Sequence, residues 1–437
     1  MILALFAGFA SAASTLSLEE AIRLAVERNP NVDQAELQLQ IASVQETRAR
    51  LDRFGAVVGA QAGASERVYV PLDGGSTYDQ QLADWDVRAT GTVPLYQGGA
   101  VNARIDQASA SQRISSVDQT LSQRDVARAV VVAYWNIQGF ELQLQAAREA
   151  LDVTRESLQV IEARAASGLA APIDVNRSRV DVLSQETQLL NLENARYNAV
   201  QELARLLSTP DDQITLTDPI PELPAGDPVP PTVDADGSDR LELRRLEHTS
   251  EQASAGIRLA RSAALPSVSV IGDVGLGATA AGAQIPGVEP VNLDPADLAP
   301  TLDAGIALGV TWTPFDLFRT RQNVEVATLA RQQVDAQTRA QQDRVRQEIR
   351  SATEQLHILR RQAAAVGEQL RLARENVDII QTLYGQGNTT ILELFQAQSQ
   401  FRAARTQAAS LMVDLVNAEW DLRWALGTDP ITTEGTP

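Results

Sequence analysis

Two histidines, no cysteine and two carboxylates at matching positions are the residues from which this chain could build chemistry. His248 and His357 stand in separate helical stretches. Neither has a carboxylate or thiol spaced to complete a metal site, and metal ligands come in clusters. The absence of cysteine excludes disulfides, thiolate metal sites, cysteine nucleophiles and an N-terminal lipid on cysteine. Glycines between 272 and 287 follow no phosphate-loop spacing. Nothing meets the geometric demands of catalysis, so no catalytic residue, metal or cofactor is expected. Asp174 and Glu393 are different: each opens a helix that returns after a glycine-marked turn, at Gly168 and Gly387. Acids favour helix N-termini, and Thr390-Ile-Leu-Glu393 has the pattern of a capping box, so a capping role is one reading of this pair.

What must position these carboxylates is a duplicated helical unit. Twelve seam positions running from Val126 to Ala165 recur 219 residues later, from Val345 to Tyr384, without a gap. Both sets alternate steps of four and three, a heptad seam that supports very long packed helices. Helical periodicity holds from about 103 to 166, roughly 90 Å at about 1.5 Å per residue. A second helix is expected over 172–207. The cycle restarts with helices over 240–262, 319–384 and 391–426. Before the first long helix, shorter ones are expected over 17–29, closed by Asn29-Pro30, and over 32–52.

Between helices the pattern switches to period two. Strands are expected over 56–68 and 83–95 in the first repeat, and over 266–276 and 301–313 in the second. Trp85, Val87, Ala89 and Val93 alternate with Asp86, Arg88, Thr90 and Thr92; Leu302, Ile306, Leu308 and Val310 alternate with Asp303, Gly305, Ala307 and Gly309. Turn-rich loops fill 71–77 and 276–299. Prolines at 210, 219, 221, 224, 228, 230 and 231 mark 208–238 as a linker without regular structure. The organisation is therefore a repeat over 14–207, the linker, a repeat over 239–428 and a tail over 429–437. Residues 1–13 read as an export signal: an apolar stretch precedes Ala10 and Ala12, a small-residue cleavage site. Its basic n-region is missing, as it would be from a start placed too far downstream.

Composition narrows the partners. A net charge of −19 argues against nucleic acid. All 37 basic residues are arginine, which codon bias in a GC-rich genome explains. No run of about 20 apolar residues is present, so no transmembrane helix is expected. Yet four strands cannot close a barrel with a lumen, and an open sheet in lipid leaves costly unpaired edges. If these strands sit in a membrane, protomers must combine, and three copies supply about 12 strands. Tyr69, Tyr78, Trp85, Tyr96, Trp312, Phe315 and Phe318 fall at or near strand ends, where membrane-interface aromatics belong. An antiparallel sheet in a soluble α+β domain, or a soluble periplasmic coiled-coil adaptor or scaffold, is the competing reading.

Several short motifs occur in a fixed order: Leu16-Ser-Leu-Glu-Glu-Ala-Ile-Arg-Leu-Ala25 with Asn29-Pro30, Val93-Pro-Leu-Tyr-Gln-Gly-Gly99, and Thr313-Pro-Phe-Asp316. The tips Ala163-Arg-Ala-Ala-Ser-Gly-Leu169 and Tyr384-Gly-Gln-Gly387 follow, with the helix ends Leu206-Leu-Ser-Thr209 and Ala425-Leu-Gly-Thr428. In this combination the chain resembles the TolC-like family of outer-membrane efflux and secretion channels over essentially its whole mature length. The resemblance implies a mainly α, internally duplicated fold: a long coiled-coil tunnel of helices crossing the periplasm below a 12-stranded β-barrel in the outer membrane of a Gram-negative bacterium. It implies a homotrimer working with a periplasmic adaptor and an inner-membrane transporter, in efflux or type I secretion. Asp174, Arg177, Glu393 and Gln396 would then face the closed aperture; the family's second acid is absent at Gln396, opposite Arg177. Gly168, Leu169, Gly387 and Asn388 would dock the adaptor, although a glycine stop is also expected at any helical hairpin.

Overall fold

The computed structural model describes residues 14–69, 79–168, 171–210, 214–219, 237–284, 300–316 and 318–428. The expected signal 1–13, the tail 429–437, Tyr78 and Leu169 lie outside them. The described chain runs β1 (Ser14–Leu16), α1 (Leu18–Arg28), α2 (Pro30–Leu51), β2 (Val57–Tyr69), β3 (Asp79–Gln97), α3 (Ala100–Ala166) and α4 (Pro172–Leu207). It continues with β4 (Ile214–Leu216), α5 (Leu241–Ser262), β5 (Ser267–Gln284), β6 (Thr301–Thr311), α6 (Arg319–Gly385) and α7 (Ile391–Leu426).

The repeat is metrically strict. Helices α3 and α6 each hold 67 residues, and α4 and α7 each hold 36. All the seam positions from Val126 to Ala165 and from Val345 to Tyr384 are buried or half-buried. Their small and medium side chains keep the packed helices close. Gly139 marks the tightest approach, where an added Cβ would stand 2.4 Å from Val413 Cγ2.

Contacts divide the chain into two compact units. One comprises 1–38, 116–245 and 338–437, and holds α1, α4, α7 and the distal parts of α3 and α6. Its largest core surrounds Tyr134 and Trp135. Strands β1 and β4 pair in parallel here, Leu16 opposite Leu216. Neither strand was expected, and β4 lies inside the stretch read as an unstructured linker. Three residues give too short a period to detect. They are held by what they meet: Tyr134 Oη accepts from the Asp218 backbone N–H at 3.1 Å and lies 3.1 Å from the Leu16 carbonyl. Gln138 adds a bond to the Asp218 carbonyl at 2.9 Å.

In this unit both returning helices end the same way. Ser208 and Gly427 take the left-handed conformation, and Thr209 and Thr428 donate back to Ala204 and Arg423, the Schellman arrangement. One further carbonyl is then satisfied from outside each helix. Asn29 Nδ2 donates to the Leu206 carbonyl at 3.1 Å, and Arg240 Nη1 to the Ala425 carbonyl at 3.0 Å. The receiving carbonyls are 219 positions apart, so each repeat joins the end of its returning helix to the start of a shorter one. Asn29-Pro30 closes α1 as expected, and Pro30 also opens α2, where its missing N–H has no partner to lose.

The second unit comprises 39–115 and 246–337. Its helical part is a thin seam: Ala103, Ala110 and Ala255 are fully or almost fully buried. Flanking ion pairs join Arg113 to Glu251 at 2.6 Å and Arg258 to Asp106 at 2.8 Å. Its sheet is antiparallel in the order β2-β3-β5-β6, with β2 and β6 as edges. Most strand bounds fall within two residues of expectation, β6 ending at Thr311 rather than 313, and two differ by more. Strand β3 starts at Asp79 rather than 83, and β5 continues to Gln284 through residues read as loop. Alanines and glycines at 277–283 carry little hydrophobic period, so the ladder to β3 rather than their own pattern holds them extended.

Candidate functional site

The register sorts the sheet into two chemically opposite faces. Ala62, Val87, Leu276 and Leu302 stand in one cross-strand row. Ala60, Ala89, Val274 and Ala304 form the next, followed by Val58, Gly91, Gly272 and Ile306. This face is apolar from edge to edge and uncovered within one chain: Ile306 is 87% exposed, Leu302 69% and Val274 52%. The opposite face carries Gln61, Thr90, Thr92, Asp86, Arg88, Asp273 and Asp303. Arg88 Nη1 lies 3.2 Å from Asp273 Oδ2, and its Nη2 3.3 Å from Asp303 Oδ2, so one guanidinium ties β3, β5 and β6 together.

A bulge between Pro94 and Tyr96 shifts the phase of β3. Proline supplies no ladder N–H, and a bulge accommodates that loss. The consequence is that Tyr96 pairs with Val268 and joins the apolar face. Trp312 follows β6 at this same end, and its Nε1 donates to the Ala264 carbonyl at 3.2 Å. Phe315 packs edge-to-face on Phe318, centroids 6.3 Å apart. Trp85 stands at the other end of the described face, between Ala64 and Ala278. Nearby, Gly98 has φ +59, and a Cβ there would stand 2.6 Å from the Ser262 carbonyl, so only glycine passes.

At the helix tips, Gly168 and Gly387 adopt φ +75 and +79, ending α3 and α6. An added Cβ would meet nothing at either. Asn388 donates its backbone N–H to the Leu383 carbonyl at 2.9 Å and is exposed. Asp174 lies in the first turn of α4, 3.9 Å from exposed Arg177. Glu393 lies in the first turn of α7, where Thr390 caps its N–H at 3.4 Å. The expected capping box is half made, because the Glu393 carboxylate accepts from the Thr389 hydroxyl instead of returning to Thr390. Gln396 is exposed. No hydrogen bond or ion pair joins Asp174 to Glu393 among the described residues. What does join the two hairpins near their tips is Arg164, whose guanidinium stacks 4.9 Å over Tyr384 and donates to its carbonyl at 3.3 Å. The seam pattern identified Tyr384 as a packed position, but nothing in sequence pointed to Arg164.

His248 pairs with Glu251 at 3.2 Å, and His357 is half-buried in the α6 seam. No group of three potential metal ligands occurs among the described residues. No described helix is long and apolar enough to cross a membrane.

A family model described as outer membrane efflux protein matches residues 21–209 and again 238–428. The solvent efflux pump outer membrane protein SrpC of Pseudomonas putida is 23% identical over 392 residues, covering 86% of this chain and 78% of its own length. Among solved structures, the Campylobacter jejuni CmeC outer membrane channel superposes with a TM-score of 0.78 at 16% identity, covering 94% of this chain and 85% of that one. The Neisseria gonorrhoeae MtrE outer membrane channel, solved in its open state, gives 0.73 at 22% identity, covering 94% and 88%. At such identities the structural likeness speaks for the fold.

Proposed function

We propose a function from one premise: the chain belongs to the outer membrane efflux protein family. It is a passive duct, not an enzyme, made when three copies close their sheets into one 12-stranded barrel. The observation that carries this reading is the sheet itself. Its apolar face is exposed across four strands, and its two edge strands, β2 and β6, each lack a second neighbour among the described residues. Lipid accounts for the first property and edge-to-edge pairing of protomers for the second. A soluble scaffold would leave both exposed to water.

Helices support the same assembly. Leu183, Leu190 and Tyr197 on α4, and Leu37, Val44 and Leu51 on α2, are exposed at steps of seven residues. Such stripes are seams awaiting another helix. Trp85 and Tyr96 fit the two aromatic girdles. They are separated by about eleven residues at ~3.3 Å each along strands tilted by ~40°, which gives a height of roughly 28 Å, near the ~25 Å apolar band of such barrels. Trp312 and Phe315 join the Tyr96 end.

In a mild detergent the protein should run as heat-modifiable trimers and conduct in planar lipid. A monomer without conductance would sink the proposal. An inner-membrane pump and a periplasmic adaptor complete the duct, with Asp174, Arg177, Glu393 and Gln396 at its inner aperture. The adaptor docks on the tips at Gly168, Leu169, Gly387 and Asn388. Because a Cβ at Gly168 has open space, Gly168→Ala should keep fold and export at a conformational cost of about 1 kcal/mol. Gly168→Trp should abolish export while trimers persist in the membrane. Loss of the trimers themselves would show that the glycine serves the turn alone.

A further inference from the structure

Every charged side chain of β2 (to Ala64), of β3 (from Trp85), of β5 (to Ala278) and of β6 lies on the polar face of the sheet. These are Asp86, Arg88, Asp273 and Asp303. Two of the carboxylates share one guanidinium, with contacts of 3.2 and 3.3 Å. Among the described residues Asp86 has no ion pair. Glycines face the group: a Cβ at 275 would stand 2.8 Å from Asp303 Oδ1, one at 305 would stand 3.0 Å from Asp273 Oδ1, and one at 63 would stand 3.0 Å from Asp86 Oδ1. The carboxylates therefore lie flat across neighbouring strands, held to the wall and not reaching out from it.

We propose that this group makes the barrel wall itself cation-selecting, with Asp86, Asp273 and Asp303 as the selecting carboxylates and Arg88 as the residue that sets their net strength. The inference rests on the trimeric-barrel reading, in which the polar face lines the lumen. Each chain then contributes three negative charges and one positive at adjacent levels of the wall, and three chains multiply the excess into a ring. Rings of like charge in a confined aqueous passage concentrate counter-ions and exclude co-ions. The selection is separate from any exerted by Asp174 and Glu393 at the helix tips.

The test is the reversal potential of reconstituted trimers in a potassium chloride gradient, across a graded series of variants. Cation preference should rise in Arg88→Gln and fall in Asp86→Asn. It should fall further in Asp273→Asn with Asp303→Asn, and invert when all three acids are neutralised beside an intact Arg88. From the unaltered protein to the triple variant, the potassium-to-chloride permeability ratio should drop roughly threefold or more. Asp86→Asn removes no ion pair, so it remains informative even if the paired variants fail to insert. Conducting trimers whose permeability ratio stays constant across the series would overturn the inference and leave the duct intact. So would a ratio that responds only to Asp174→Asn with Glu393→Gln. Unaltered protein that neither trimerises nor conducts would overturn the barrel reading, and this inference with it.

Discussion

Ile306→Arg should eliminate heat-modifiable trimers from the outer membrane fraction, whereas Ala307→Arg, one residue along, should leave them in place. Ile306 sits midway along the apolar face of β6, 87% exposed within the chain and paired with Gly272. Arginine at the midplane of a lipid-facing strand costs about 2–4 kcal/mol, incurred once per copy in a trimer. Ala307 pairs with Ile271 on the opposite face, in line with Thr92, where a water-filled lumen would solvate a guanidinium. Because successive strand residues point to opposite sides, the two variants share position, size and charge but not surroundings. Equal outcomes for the pair, whether both tolerated or both lost, would remove the case for lipid on the apolar face.

Arg240→Met should cost about 3–5 kcal/mol and move acid unfolding to higher pH. Arg240 is 7% exposed, and its guanidinium lies 2.9 Å from Glu242 and 3.2 Å from Glu348 besides capping α7 through Ala425. Removing one member of a buried charge cluster leaves the others uncompensated. Burial alone would raise the Glu242 carboxyl; hydrogen bonds from Arg240 and Arg124 outweigh it and hold the group down at about 2, against an ordinary 4.5. A carboxylate lowered by folding contributes stability that is full above its unfolded pKa and lost as pH falls through its folded one. The window therefore runs from about pH 4.5 down to about 2, and spans roughly 3 kcal/mol. Denaturant unfolding followed by circular dichroism at stepped pH would read it. In Arg240→Met, Glu242 keeps Arg124 at 2.6 Å but loses its second partner, so its folded pKa rises and the acid limb, still beginning near 4.5, should end at higher pH and span less. An unchanged limb would show that the cluster is indifferent to folding.

The helices were legible because period and punctuation agree over long stretches. Residues 391–426 could be bounded to the residue by a threonine cap before and a glycine after. The strand faces were legible from alternation alone. Strand pairing across the repeats was not, since β3 and β5 are joined by a register that no local pattern encodes. The β1–β4 pair was hidden for a related reason: its hold comes from Tyr134, 80 or more residues from either strand. At the tips, glycines and first-turn acids could be read from chemistry. The Arg164–Tyr384 stack could not, because the seam pattern marks which positions pack and is silent about which cation lies over which ring.

The matched helix lengths restrict how this molecule can change. With 67 and 36 residues in both halves, a seven-residue excision from α3 and α4 alone would leave one hairpin shorter than its twin by about 10 Å. Reach is thus a quantity fixed jointly by two distant stretches of gene. It can be altered only by paired edits, in whole heptads, made on both sides of the midpoint at once.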